Sequence, residues 1–226
     1  FTNFDAFKHE VMQIPGVTGV TKMSQRPVSM ENSTGDVLWE GKDPDSKPTF
    51  TQMAVGYDFV RTMQATLLDG RDFSETRADS ASFIVNETAL RVIGYQDPIG
   101  KPLRFWGIEG PIIGVIKDFH FNSLHVPIRP LVIRLAGKRS WGYSAIRVES
   151  GKMPQALAAL ESLHEEINPE FPFAHQFADE EYGMLYDREQ MIKRLSRYFA
   201  FLAIFISCLG LFGLASFTAE QRTKEI

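Results

Sequence analysis

Hydrophobic residues along this chain change their spacing several times, and each spacing predicts an element. Phe4, Phe7, Val11 and Ile14 lie three and four apart, which predicts an amphipathic helix over residues 3–13. Thr2 or Asn3 can cap it, and Pro15-Gly16 ends it. Residues 17–24 alternate as a strand does, with Val17, Gly19, Thr21 and Met23 on one side and Thr18, Val20 and Lys22 on the other. A polar, turn-rich loop follows over residues 23–35. Residues 36–41 and 49–56 read as a hairpin, joined by a link at 42–48 that holds two prolines. Residues 57–64 predict a short helix on Phe59, Val60 and Met63, residues 67–73 a turn, and residues 82–85 a strand. Asn86 caps a helix that runs to Ile93, with Gly94 as its stop. Strands are expected at 102–106, 111–119, 130–135 and 143–149, with a hairpin turn at Gly107-Ile108-Glu109-Gly110.

Residues 153–167 form a clear helix, with Leu157, Leu160, Leu163 and Ile167 inward and Glu161, Glu165 and Glu166 outward. Residues 171–177 return as a strand, so 143–177 reads as strand, helix, strand. The opening helix and first strand look like the later part of a second such unit. The pattern therefore predicts an α+β class with two subdomains. One is built from both ends of the soluble region, and the other is inserted at roughly residues 57–137.

The longest apolar run, YFAFLAIFISCLGLFGLASF at residues 198–217, carries no charge and no proline. About 20 helical residues rise roughly 30 Å, the thickness of a bilayer's hydrocarbon core. No amphipathic pattern crosses the run, which speaks against the core helix of a soluble domain. A helix starting near Asp179 is predicted to run unbroken into it, with Leu185, Ile192 and Leu195 as a stripe.

Composition adds bounds. The 226 residues suffice for one large domain or two small ones. Net charge is -4 and mean hydropathy -0.14, an ordinary soluble balance outside the apolar run. Mild acidity argues against nucleic acid as a partner, because binding phosphates needs a basic face. The single cysteine, Cys208, lies inside the run, so the chain forms no internal disulfide. The sequence opens at Phe1, without methionine, inside a predicted helix, and reads as a piece of a longer protein.

Catalysis finds little support. His120 and His125 stand near Asp118, but no third ligand follows at a telling spacing, so no metal site is assigned. The turn at residues 107–110 is not a phosphate loop, because no GKS/T follows it. Glu165-Glu166 is a solvated helix face. No serine or cysteine stands in a nucleophile arrangement, and no nucleotide-binding motif appears, so no catalytic residue, cofactor or cofactor-binding residue is assigned.

Ser216-Phe217-Thr218-Ala219-Glu220-Gln221-Arg222-Thr223-Lys224-Glu225-Ile226 is similar to the start of the first cytoplasmic loop in the family of MacB/FtsX-type ABC-transporter permeases. Residues 114–125, GVIKDFHFNSLH, resemble the "GVVKDFHFxSLH" word of its extracytoplasmic core domain. Phe83-Ile84-Val85-Asn86-Glu87 and Asp97-Pro98-Ile99-Gly100 resemble its "xxVNExA" and "DPIGK" words, and Arg71-Asp72-Phe73 its "GRxF".

The resemblance implies a two-subdomain extracytoplasmic domain, with a porter-like βαβ part at residues 1–56 and 138–180. A mainly β, sabre-like part is inserted at residues 57–137. A stalk helix at 181–197, a second membrane helix at 198–217 and the start of a cytoplasmic loop at 218–226 complete the chain. The expected site is the bacterial inner membrane, with residues 1 to about 197 periplasmic. Implied partners are an ABC ATPase subunit, a second permease protomer and membrane lipid, with a periplasmic adaptor or envelope protein left open. ATP hydrolysis would belong to the separate ATPase, with Glu220, Gln221, Arg222, Thr223, Lys224 and Glu225 as the segment that touches it. The implied function is mechanotransmission for efflux or extraction of substrates on the outer side. Arg188, Lys193, Arg194 and Arg197, taken alone, would put the span's N-terminal flank in the cytoplasm, although large domains translocate largely regardless of charge. The alternative is a membrane-anchored extracytoplasmic sensor or ligand-binding module.

Overall fold

The continuous apolar stretches become the middle of one sheet. In the computed structural model, which describes residues 4–28, 30–121, 126–137 and 142–223, the elements follow in order. They are α1 (Phe4–Met12), β1 (Val17–Met23), β2 (Ser33–Thr34), β3 (Val37–Trp39), β4 (Phe50–Val55), α2 (Phe59–Met63), β5 (Leu67–Gly70), β6 (Phe83–Asn86) and α3 (Glu87–Ile93). Then come β7 (Pro102–Phe105), β8 (Ile108–Ile116), β9 (Leu131–Leu135), β10 (Tyr143–Val148), α4 (Met153–Ile167) and α5 (Ala178–Thr223). The chain divides into two units, one ending at His175 and the other beginning at Gln176.

Among the described residues of the first unit, ten strands share a sheet in the order β10-β1-β4-β9-β6-β8-β7-β3, with β2 on β4 and β5 on β8. The β4/β9 and β6/β8 pairs are parallel and the others antiparallel. Strands β4 and β6 are buried at every position, as central strands covered on both faces must be. Alternate residues serve opposite faces. Met53, Ile84, Leu131 and Ile133 join Phe59 and Val60 of α2 in one core. Phe50, Phe83, Val85 and Val132 join Ala89 and Ile93 of α3 in another. A third, smaller core sets Phe7 and Val11 of α1 and Leu160 of α4 against Val20 of β1. The unit is thus a mixed α+β sheet domain, as the sequence pattern predicts.

Helix α3 forms where expected. Asn86 accepts the Ala89 N–H at 2.9 Å as cap, and Gly94 stops the helix with φ +83°, donating to the Leu90 carbonyl at 2.8 Å. Five expectations are corrected. The proposed hairpin of residues 36–41 with 49–56 does not form. β3 pairs with β7, while β4 pairs with β9, β2 and β1, because a strand buried at every position takes a central place in the sheet. The turn expected at residues 67–73 includes strand β5, paired with β8. The β7–β8 hairpin turns two residues earlier than expected. Phe105 faces Ile108 across Trp106 and Gly107, whose φ values are +50° and +75°. No strand forms over residues 171–177, so the strand, helix, strand reading of 143–177 loses its last member. That segment is held by side chains instead. The Phe171 carbonyl lies 3.0 Å from His164 Nε2, and the Phe173 ring packs on His164 and His175, while Pro172 has no N–H to give a ladder. Helix α4 turns Ala156 and Leu160 inward. Leu157 and Leu163 are half-buried, and Ile167, expected inward, is exposed.

Candidate functional site

The polar words singled out in the sequence meet on one strand, β8. Arg71 N–H donates to the Ile113 carbonyl at 2.8 Å, Gly100 N–H donates to the Ile112 carbonyl at 2.8 Å, and Ile84 stands beside Gly114. Where β6 and β8 end side by side, their side chains interlock. Asp118, 15% exposed, accepts from Thr88 N–H at 3.0 Å, Thr88 Oγ1 at 2.6 Å and Arg91 Nη2 at 2.9 Å. Asp118 N–H donates to Glu87 Oε2 at 2.9 Å. Beneath them, Asn86 accepts from Leu131 N–H at 2.8 Å and donates to the Arg129 carbonyl at 3.0 Å, besides capping α3. These contacts tie β6, α3, β8 and β9 into one block. Asp118 is thereby committed to Thr88 and Arg91, while His125 lies outside the described residues. Among the described residues, no cluster of His, Cys, Asp and Glu could hold a metal.

A second lock lies along the loop after β5. Arg71 grips Asp79 with two nitrogens, at 2.6 and 2.7 Å, and Asp79 also accepts from Ser74 N–H at 2.9 Å. These bonds from Arg71 hold the Asp79 carboxyl below the usual carboxylate range, against the cost of burial. Asp72 receives Val60 and Phe73 N–H groups, yet burial outweighs them and pushes its carboxyl up. Asp79 stands eight residues from Arg71, and no periodic pattern marks such a pair in sequence.

The second unit is α5, 46 residues long, or about 69 Å of helix. Within Met191–Ser216 the mean hydropathy reaches 2.3 over 18 residues, and no other described helix is long and apolar enough to cross a bilayer. Its large side chains are exposed, Phe212 at 72%. Ten Phe, Leu and Ile side chains from Phe199 to Leu214 stand in this state. At roughly 2 kcal/mol each, covering them is worth on the order of 20 kcal/mol, more than the net stability of a typical domain. The Ser207 hydroxyl donates to the Ala203 carbonyl at 2.8 Å within the helix, which satisfies it without water. Of the expected ATPase-contact residues, Glu220, Gln221, Arg222 and Thr223 continue the α5 backbone. Lys224 and Glu225 lie outside the described residues.

An α+β sheet domain on the same chain as a helix long and apolar enough to cross a bilayer fits one class, a folded domain joined to a candidate membrane span. Within that class the chain belongs to the MacB-like periplasmic core domain family, which matches residues 2–163. It is therefore a periplasmic domain of the kind found in MacB/FtsX-type ABC-transporter permeases, followed by a candidate membrane helix. Over 188 residues it is 23% identical to the Macrolide export ATP-binding/permease protein MacB 2 of Aeromonas hydrophila, a match covering 77% of this chain. The chain spans 29% of that relative's length. Its fold is similar to the periplasmic region of MacB from Actinobacillus actinomycetemcomitans, with a TM-score of 0.55 and 16% identity over 80% of this chain and 81% of that one. It is also similar to the extracellular domain of the noncanonic ABC-type transporter YknZ from Gram-positive bacteria, with a TM-score of 0.52 and 13% identity over 73% and 83%.

Proposed function

We propose that the chain is the outer domain and second membrane helix of a MacB/FtsX-type ABC permease, and that it transmits ATP-driven motion to the outer side of the bacterial inner membrane. The observation that carries this reading is the sequence of units. Only Gln176 and Phe177 lie between the end of the periplasmic unit and a helix that continues unbroken for 46 residues. A helix passes displacement along its axis because its hydrogen bonds run that way. Residues 1 to about 197 stand outside and the segment from residue 218 stands inside. There Glu220, Gln221, Arg222, Thr223, Lys224 and Glu225 meet a separate ATPase with charges of both signs. A second protomer completes the assembly, and the work done is efflux or extraction of a substrate on the periplasmic side. In this reading residues 57–137 are an inserted part set between residues 1–56 and 138–180, and the β4/β9 and β3/β7 ladders join them.

Purification of the intact protein from membranes brings down an ABC ATPase. Reversal of every charge in residues 220–225 leaves the complex unable to raise ATPase activity, read as phosphate release. Unchanged ATPase coupling in that variant sinks the contact, and absence of any ATPase favours the sensor or binding-module alternative.

A further inference from the structure

A cleft of about 720 Å³ opens in the first unit between α1 and the ends of two parallel strands. Phe4, Lys8 and Met12 of α1 form one wall, and Lys22, Gly56 and Leu135 form the other. Leu135 ends β9, and Gly56 directly follows β4. The crevice beyond the carboxyl ends of parallel strands is where open sheets receive ligands, and a volume of roughly 300–1,000 Å³ suits a small molecule.

The two lysines of the cleft are in different states. Lys8 Nζ lies 2.7 Å from Asp58 Oδ2 and 3.7 Å from Glu75 Oε1, so its charge is matched. Lys22 Nζ donates to the Gly137 carbonyl at 3.3 Å and lies 5.6 Å from the centre of the Phe4 ring. Among the described residues no carboxylate pairs with it. An ammonium has three donors, so Lys22 keeps capacity for an anion. Its stem is seated by Gly56. Gly56 N–H donates to the Lys22 carbonyl at 2.7 Å, and a Cβ at residue 56 would stand 2.9 Å from Lys22 Cγ. Glycine leaves that space to the lysine. Asp5 and Glu75 also line the cleft, Glu75 turned to Lys8, so Lys22 is its one cation with no ion pair among the described residues, beside the half-buried apolar side chains of Phe4, Met12 and Leu135.

We propose that this cleft binds a single-chain anionic amphiphile, with its acid group on Lys22 Nζ and its chain along Phe4, Met12 and Leu135. The binding needs no ATPase, so its outcome is independent of the transport reading.

The test uses the full chain in lipid nanodiscs, titrated with the fluorescent acid 11-(dansylamino)undecanoate after subtraction of empty discs. Saturable binding is expected. Lys22→Gln weakens it about tenfold or more, the loss of a hydrogen bond to a charged group. Lys22→Arg keeps it within about threefold, because the charge stays in place. Dodecanoate and dodecyl phosphate both displace the probe if the cleft reads charge alone, and only one does if it reads headgroup shape. Inorganic phosphate displaces nothing. No saturable binding, equal affinity in Lys22→Gln, equal affinity for the uncharged undecanamide probe, or displacement by inorganic phosphate would each overturn the proposal. Circular dichroism checks the fold of each variant. If Lys22→Gln fails to fold, the comparison of charged with uncharged probe on the unaltered chain decides.

Discussion

Asn86 fills three roles with one amide, and only one of them could be read from its neighbours in sequence. The cap is local, because Ala89 is three residues away. The bonds to Leu131 and Arg129 come from sequence more than forty residues later, which no local pattern reveals. Asn86→Ala removes all three from a fully buried position. The expected loss is about 2–4 kcal/mol, read from urea unfolding of the full chain by tryptophan fluorescence. In sequence Asp118 stands out as part of a word and as a neighbour of His120 and His125, not as a partner of α3. Its partners Thr88 and Arg91 lie thirty and twenty-seven residues away.

The two acids of the Arg71 loop give opposite pH dependences. Asp79 titrates below its unfolded value near 3.9, so its stabilisation is present above that value and lost as pH falls through the folded one. Asp72 titrates above its unfolded value, so its contribution is full at low pH and declines as pH rises through the folded one. Asp79→Asn should lower stability at neutral pH and flatten the decline below about pH 4. Asp72→Asn should gain stability at pH 7 relative to pH 3. Unfolding midpoints across pH 3–7 check both.

At the scale of elements, the sequence was most legible where periodicity was long. Helices α1, α3 and α4 and strands β1, β9 and β10 stand within a residue or two of their expected places, because capping residues and apolar spacing act locally. Pairing was less legible. Strand β4 looked like half of a hairpin with β3, yet its partners are decided by burial on both faces. The segment 171–177 shows the reverse failure. Its aromatic residues suit a strand, but Phe171 is 67% exposed and Phe173 is spent against His164. Helix α5 was expected as one rod through the apolar run and is one. A charge at its apolar centre tests the span. Ile206→Lys costs about 2.5–3.5 kcal/mol on insertion scales and shifts part of the protein to the alkali-extractable fraction. Arg197→Lys, at the edge of the run, leaves the fraction unchanged.

For the whole molecule, orientation is the decisive property. The basic residues before residue 198 and the family's own arrangement point in opposite directions, so labelling decides between them. In a Cys208→Ser background, Glu166→Cys on exposed α4 should react with an impermeant maleimide in spheroplasts. Arg222→Cys should react only after the membrane is opened. The reverse pattern would place the sheet domain in the cytoplasm. The class of the fold was legible in sequence because a few separated words accompany it. The reason those words belong together was not, since they converge on β8 only in three dimensions.

The pairing of β1 with β10 bears on how the protein is made. Val17 waits for Val148, and the neighbouring β4 waits for β9. A ribosome adds about 5–20 residues each second, so the first strand emerges many seconds before its mate. Pairings this distant along the chain also close slowly. Through that interval the stretch carries the unpaired edges of β1 and β4, the kind that stick to one another. Holding factors outside the membrane, or a slow pace of export, would then decide the yield. Mutations that weaken β10 should show first as aggregated nascent chains, before any defect in the folded protein.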